Sequence, residues 1–305
     1  MGCNSNTNSD MKKLSEMKAE YTAFDYPEVL TWCGGCGNMG IQNALRRAFT
    51  LEGLTVNDLL LCYDIGCNGN GSDKLATYSL HGLHGRIISA AAGVALANSR
   101  LKVLAFAGDG GTMSEGINHL IHSVRNDYPM VFVLHNNQNY GLTTGQASAT
   151  TRKGYKMNAS PDGVANEPMN PSEFVLGLDA TFVARTFSGD TKHMTKVLRA
   201  ALNHKGFAFV EIMQMCPTYN KATPINWFWD RIKYVDDIEG YDETNLKMAK
   251  DAAFDIYEKL SMGVLYRDKK TPNFVERLIS RKDKKTALID EVQHYDVSHF
   301  MDRFK

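Results

Sequence analysis

The sequence predicts an α/β fold built on a doubly wound, mainly parallel sheet, and three observations lead there. Strand-like and helix-like segments alternate through most of the 305 residues. Several apolar runs stop abruptly at Gly, Asp, Asn or Cys, as buried parallel strands do when they reach a ligand-binding edge. A hydrophobic content of 43% with 22% charged residues supplies one large core and a small extension.

The elements follow in order. Residues 1–24, rich in Asn, Ser and Lys, read as a polar tail. Gly2-Cys3 is not read as a lipid anchor, because no signal-type segment precedes it. A helix is expected over 39–49, a strand over 59–64, an Ala-rich helix over 86–99 and a strand over 101–107 (LKVLAFA). Over 115–127, Ile117, Leu120, Ile121 and Val124 recur at helical spacing, and 130–134 reads as the next buried strand. Residues 144–171 are polar and loop-like, long enough for a lid or an intersubunit arm. Strand 181–186, helix 192–204 and strand 207–213 complete a ligand-binding domain over 25–220. Beyond it, 221–305 reads as an extension suited to a partner interface, with an aromatic Ile225-Asn226-Trp227-Phe228-Trp229 and a helix over 245–260. Trp227 and Trp229 suit interface or packing anchors better than catalysis.

Charge excludes several classes of function. With 34 basic and 34 acidic residues the formal charge is zero, so neither nucleic acid nor an anionic membrane is an expected partner. No apolar run reaches the roughly 18 residues that a spanning helix requires. The composition suits a soluble cytoplasmic enzyme subunit.

Gly108-Asp109-Gly110, followed one helix and one strand later by Asn136-Asn137, carries the most chemistry. Glycines at a strand's end let backbone N–H groups approach phosphate. The Asp109 carboxylate and the Asn137 amide reach the same edge and can meet over one cation, and hard oxygen ligands suit Mg²⁺ rather than zinc. A lone Gly-Asp-Gly is most often a turn. The complete strand-GDG-helix-strand-NN unit resembles the thiamine diphosphate motif of thiamine enzymes.

Six cysteines supply the second signal: Cys3, Cys33, Cys36, Cys62, Cys67 and Cys216. No apolar secretory segment begins the chain, so a disulfide framework is not expected. Cys33-Gly34-Gly35-Cys36 is a C-x-x-C in a glycine-rich turn, where two thiolates converge on one metal. Cys67 and Cys216 are single and distant rather than a second close pair, and Cys216-Pro217 echoes the end of an iron–sulfur ligand run. A four-cysteine cluster, a structural zinc and unliganded core thiols all remain open on residue pattern alone. Cys62, inside an apolar run, reads as a small buried hydrophobe.

Taken together, WCGGCG, DIGCNGNG, HGLHGRIISAAAGVALAN, FAGDGG, NNQNYGLTTGQ, ATT, HKGFAFVEI and MCPTYN resemble, in order, the thiamine-binding beta subunit of 2-oxoacid:ferredoxin oxidoreductases. The resemblance runs from about Tyr26 to Tyr266. It implies a thiamine diphosphate-binding fold with a C-terminal extension, carrying Mg²⁺, thiamine diphosphate and one [4Fe-4S] cluster. The implied cluster ligands are Cys33, Cys36, Cys67 and Cys216. The implied magnesium ligands are the Asp109 and Asn137 side chains and the Asn139 backbone carbonyl. Cofactor contacts are implied at Gly66, Cys67, His84, Gly85, Gly108, Asp109, Gly110, Gly111, Asn137, Asn139, Gly141 and Leu142. The sequence departs from the family pattern, which usually has proline at Gly34, a second aspartate at Gly111, and Ser-Pro-Thr at Ser148-Ala149-Thr150.

The resemblance also implies reversible, coenzyme A-dependent oxidative decarboxylation, with 2-oxoglutarate favoured over pyruvate as the 2-oxoacid. Ferredoxin is the implied electron acceptor. An alpha subunit supplies the pyrimidine-binding domain that this chain has no room for, in an (αβ)₂ assembly. An isolated histidine is usually structural. The implied place of His84 beside the cofactor makes it the catalytic candidate, donating to the diphosphate or to the reacting carboxylate, ahead of His81. His119, His122 and His135 read as structural. The rival readings are an iron–sulfur electron-transfer subunit and a thiamine enzyme without redox output.

Overall fold

The computed structural model describes residues 20–27, 31–292 and 296–304. Residues 1–19, including Gly2, Cys3 and most of the expected tail, lie outside the described residues. Phe24, near the end of that tail, is buried, with its ring 5.6 Å from that of Phe49.

Eight strands form one sheet: β1 (Leu59–Tyr63), β2 (Tyr78–His81), β3 (Lys102–Gly108), β4 (Val131–Asn136), β5 (Phe182–Phe187), β6 (Ala208–Met213), β7 (Ile232–Tyr234) and β8 (Leu260–Arg267). Their order is β2-β1-β3-β4-β6-β5-β8-β7, and every pairing is parallel except β5 with β8. The expected doubly wound, mainly parallel sheet is therefore present. Its main helices are α1 (Asn38–Leu51), α2 (Ile87–Ala97), α3 (Ile117–Asn126), α4 (Pro171–Leu176), α5 (Thr191–Leu202), α6 (Ile225–Trp229) and α7 (Leu246–Phe254).

The apolar runs read as continuous because both sheet faces are covered. In β3, Val103, Ala105 and Ala107 pack into the layer of α2, α3, α4 and α7, whereas Leu104 and Phe106 enter the layer of α1 and α5. In β4, Phe132 and Leu134 take the first layer, Val131 and Val133 the second. Gly37, at φ +85° before α1, lies where a β-carbon would meet Ser188 Oγ at 2.4 Å, so this turn accepts only glycine.

Three elements differ from expectation. The helix expected over 245–260 ends at Phe254, and Leu260 starts β8, which adds antiparallel to β5. The 221–305 extension thus contributes two strands to the same sheet. The helix expected from 115 is preceded by a π-type turn over Gly110–Glu115, so α3 starts only at Ile117. The four exposed residues of β2 form an edge strand that no buried apolar pattern marks.

One buried ion pair ties the sheet's interior together. Arg185 on β5 and Glu211 on β6 are register partners, 0% and 1% exposed, with Arg185 Nε donating to Glu211 Oε2 at 2.8 Å. Glu211 also accepts from Asn136 Nδ2 at 2.7 Å and from Ser172 Oγ. Removing one partner of such a pair leaves a buried charge uncompensated. Arg185→Met is expected to lower unfolding free energy by about 3–5 kcal/mol in denaturant titration; a loss under about 1 kcal/mol would show that the bracket is not structural.

Candidate functional site

The carboxyl ends of β1, β3, β4 and β6 deliver their polar residues to one edge. A cavity of about 90 Å³ lies there, and Gly66, Cys67, His84, Gly108, Asp109, Gly110, Gly111, Asn137, Asn139, Gly141 and Leu142 are all on its wall. These are eleven of the twelve expected cofactor contacts. The twelfth, Gly85, is off the wall, its amide donating to Asp64 Oδ1 at 2.8 Å. A larger groove of about 740 Å³ runs along the 147–169 loop, but Asp162 and Glu167 are its only titratable residues.

Asp109 is completely buried at the end of β3. Its Oδ2 accepts from Thr150 Oγ1 at 2.7 Å and from Ser148 Oγ, while its Oδ1 has no hydrogen-bond partner among the described residues. Burial pushes its carboxyl up to about 6, against the opposing effect of the two hydroxyls. A buried, half-satisfied carboxylate oxygen is what a hard cation requires. Asn137 sits beside it, its Oδ1 accepting from the Asn139 amide at 3.2 Å, and the Asn139 Oδ1 is also unpartnered. The donor set of carboxylate and amide oxygens fits magnesium, and the glycine-rich turn fits a diphosphate.

Behind Asp109 runs a buried polar chain. Thr150 Oγ1 bridges to Asn136 Oδ1 at 3.1 Å, and Asn136 continues to Glu211 and Arg185. Ser148 and Thr150 were not singled out as site residues from sequence, although the ATT segment containing Thr150 was among the recognised motifs.

His84 lines the same cavity. Its Nδ1 lies 3.0 Å from Asp64 Oδ2, and its Nε2 3.3 Å from Glu115 Oε1, which also accepts from Tyr140 Oη at 3.2 Å. Burial pushes the Asp64 carboxyl above its ordinary range, while His84 works in the opposite direction. Asp64, Glu115 and Tyr140 were not read from sequence as site residues. Asp64 in particular looked like the end of a strand.

The four expected cluster cysteines come together from remote parts of the chain. A β-carbon at Gly141 would lie 3.3 Å from Cys67 Sγ and 3.6 Å from Cys216 Sγ. Cys67 is pushed up to about 11 by burial and then by the charges of Cys216, Cys36 and Cys33; burial likewise raises Cys36, with Cys33 and Cys216 adding to it. Thiols that repel one another as thiolates need a shared positive centre to ionise together. Gln214 Nε2 holds the C-x-x-C turn by its bond to Cys36 O at 2.6 Å, and Trp32 Nε1 holds the other loop at Cys67 O at 2.7 Å. Among the described residues no group of three or more Cys, His, Asp or Glu is drawn together tightly enough for one metal ion. Cys62 is buried in β1, its thiol pushed up to about 12 by burial, as an inert core residue should be.

His135, read as structural, is buried next to this region with Nδ1 3.2 Å from Asn38 Oδ1, and burial pulls it down to about 4, keeping it neutral. His119 stands apart, partly exposed on α3. Trp229 meets Phe187 edge-on at 5.4 Å, and Trp227 lies under Arg231 at 4.8 Å, which makes both packing groups. Among the described residues no helix is long and apolar enough to cross a membrane.

Comparison with known proteins agrees with this geometry. Residues 64–212 match the C-terminal TPP-binding domain of thiamine pyrophosphate enzymes, and residues 216–283 match the C-terminal part of the pyruvate ferredoxin oxidoreductase beta subunit. A 2-oxoacid:ferredoxin oxidoreductase subunit beta from Sulfolobus sp is 33% identical, over 87% of this chain and 95% of that protein. The 2-oxoglutarate oxidoreductase subunit KorB of Mycobacterium tuberculosis is 41% identical, over 66% of this chain and 54% of that one. The solved 2-oxoglutarate:ferredoxin oxidoreductase from Magnetococcus marinus, with 2-oxoglutarate, coenzyme A and succinyl-CoA bound, superposes with a TM-score of 0.83 at 31% identity, over 94% of this chain and 96% of that one.

The raised Asp109 carboxyl gives a pH test with a definite sign. Between the unfolded value of about 4 and the folded value of about 6, the folded metal-free chain keeps the proton and the unfolded chain loses it, so this group's contribution to stability declines as pH rises through that window. Magnesium must displace the same proton. Its affinity in the presence of thiamine diphosphate is expected to rise about tenfold per pH unit up to about 6 and level off above. Asp109→Asn should bind weakly with no such slope, as calorimetry on the complete complex would show. A native profile flat from pH 5 to 7 would contradict the assignment.

Proposed function

The chain belongs to the family of 2-oxoacid:ferredoxin oxidoreductase beta subunits, and on that premise we propose that its substrate is 2-oxoglutarate, converted with coenzyme A to succinyl-CoA and carbon dioxide while ferredoxin is reduced. The reading includes Mg²⁺ beside the thiamine diphosphate of the family's TPP-binding domain, a [4Fe-4S] cluster on Cys33, Cys36, Cys67 and Cys216, an alpha subunit, and an (αβ)₂ assembly in the cytoplasm. The observation that carries it is the pairing, at one sheet edge, of a half-satisfied buried carboxylate with four facing thiols. A cradle without thiols would suit a thiamine enzyme lacking redox output, and thiols without a cradle a simple electron carrier.

When bound, thiamine diphosphate supplies the electron sink for decarboxylation and the cluster supplies one-electron transfer. The chain's own groups do the rest. Asp109 Oδ1 and Asn137 Oδ1, with the Asn139 carbonyl, hold the magnesium, and the Gly108–Gly111 turn offers amides to the diphosphate. His84, on the cavity wall with Nδ1 3.0 Å from Asp64 Oδ2 and Nε2 3.3 Å from Glu115 Oε1, would orient a diphosphate or a substrate carboxylate there. Leu142, half exposed on the cavity lip, packs against the coenzyme. Ser148 and Thr150 donate to the magnesium aspartate and fix which of its oxygens faces the metal. A cavity of about 90 Å³ accommodates a diphosphate head rather than a whole coenzyme, which supports a second protein covering the remainder.

Relatives that cover 87% and 88% of this chain are named as 2-oxoacid enzymes without a stated substrate, so a broad-specificity or pyruvate enzyme is the second reading. Steady-state kinetics of the anaerobic complex with its partner subunit decide between them. The kcat/KM for 2-oxoglutarate is expected to exceed that for pyruvate by about tenfold or more, since a site that pairs a distal carboxylate rejects an analogue lacking it; the reverse order would assign pyruvate. Cys216→Ser is expected to lower iron and sulfide content and abolish ferredoxin reduction, whereas Cys62→Ser retains both. Iron lost from the Cys62 variant and kept by the Cys216 variant would sink the ligand assignment.

A further inference from the structure

Asp64 presents an arrangement that the cradle and the cluster leave unexplained. It follows the last residue of β1, fully buried, and uses both carboxylate oxygens: Oδ1 accepts from the Gly85 amide at 2.8 Å, and Oδ2 from His84 Nδ1 at 3.0 Å. Gly111, in the diphosphate turn, also faces this carboxylate. A β-carbon there would lie 2.2 Å from Asp64 Oδ2, 2.9 Å from His84 Cε1 and 3.0 Å from His84 Nδ1. No side chain at residue 111 coexists with Asp64 in this position. An aspartate at 111, as in the usual family motif, would bring its carboxylate to the same side of the His84 ring.

We infer that Asp64 is the positioning residue for His84, and that Asp64 and Gly111 are a compensating pair in which the carboxylate facing the imidazole is carried from β1 instead of from the diphosphate turn. The pair works through one hydrogen bond. A carboxylate at Nδ1 accepts a hydrogen bond from it and fixes the tautomer and ring plane, while Nε2 lies 3.3 Å from Glu115 Oε1. Gly85, next in sequence to His84, is anchored by the other oxygen of the same carboxylate, so ring and backbone are held together. A carboxylate at 111 would reach the ring but would leave the Gly85 amide to another acceptor. The role of His84 toward the coenzyme rests on the proposed function; the mutual exclusion of Asp64 and a side chain at 111 rests on the geometry alone.

The test is a double-mutant cycle in the complete complex with its partner subunit, using Asp64→Gly, Gly111→Asp and the combined variant, with Asp64→Asn alongside. Each single change is expected to lower kcat by roughly tenfold to a hundredfold, through a displaced or crowded imidazole. The combined variant should return to within about threefold of the native value, since the two changes share one partner. Asp64→Asn keeps the shape but cannot accept on both oxygens, so kcat should fall about tenfold with KM for the 2-oxoacid and melting temperature nearly unchanged. Losses that multiply in the combined variant, or native kcat in Asp64→Asn, overturn the inference. The same cycle is read by melting temperature in cofactor-free protein, where the combined variant should recover what Gly111→Asp loses, and additive losses again overturn the pair. Failure of the native complex to bind thiamine diphosphate would instead overturn the proposed function, and the cofactor-free cycle would still judge the pair.

Discussion

Placing the Asp109 carboxylate in the protein interior is costly unless its oxygens find partners, and among the described residues only Oδ2 has side-chain donors. Ser148 and Thr150 satisfy Oδ2, and the chain of contacts through Asn136, Glu211 and Arg185 fixes those hydroxyls from below. Oδ1 is left without such a donor, on a residue that lines the cavity. The folded protein thus carries an electrostatic deficit at a defined point, and a divalent cation removes it. That deficit also raises the Asp109 carboxyl, so the same burial that prepares the site for metal makes the metal-free site hold a proton.

Parallel pairing determines what can gather around that point. Every strand of a doubly wound sheet delivers its following loop to the same edge, so Cys67 after β1, Asp109 after β3, Asn137 after β4 and Cys216 after β6 become neighbours although far apart in sequence. The C-x-x-C turn precedes α1 and reaches the edge from outside, held by Gln214. Gly141 touches both sides: it lines the cavity, and its open α-carbon faces the sulfurs of Cys67 and Cys216. The cavity and the sulfurs of Cys67 and Cys216 are therefore adjacent, the arrangement that the proposed short-range electron transfer needs.

The legible part of the sequence was the part with local signatures. Buried strands such as LKVLAFA and the VFVLHN of β4 announce themselves by composition, and a glycine turn or a C-x-x-C announces its chemistry by spacing. What stayed hidden depended on tertiary placement. Asp64 reads as the polar end of a strand until its neighbours His84 and Gly111 are known, and Ser148 and Thr150 read as loop residues until Asp109 is seen to need donors. The helix expected over 245–260 runs past α7 to the first residue of β8, and Ser261, Met262, Gly263 and Val264 carry no strong period of their own to mark a strand; pairing with β5 decides their conformation. The covering of the cavity is not legible at all within one chain.

The central claim is that one sheet edge holds a metal-diphosphate cradle and a four-thiolate iron site side by side. Anomalous diffraction at the iron edge, from crystals of the complex grown anaerobically with magnesium and thiamine diphosphate, tests it most directly. The account predicts a compact iron signal enclosed by Cys33, Cys36, Cys67 and Cys216, none at Cys62, and diphosphate density against Gly108–Gly111 with a magnesium at Asp109 Oδ1. A single zinc signal among the cysteines, or diphosphate bound away from Asp109, would contradict it.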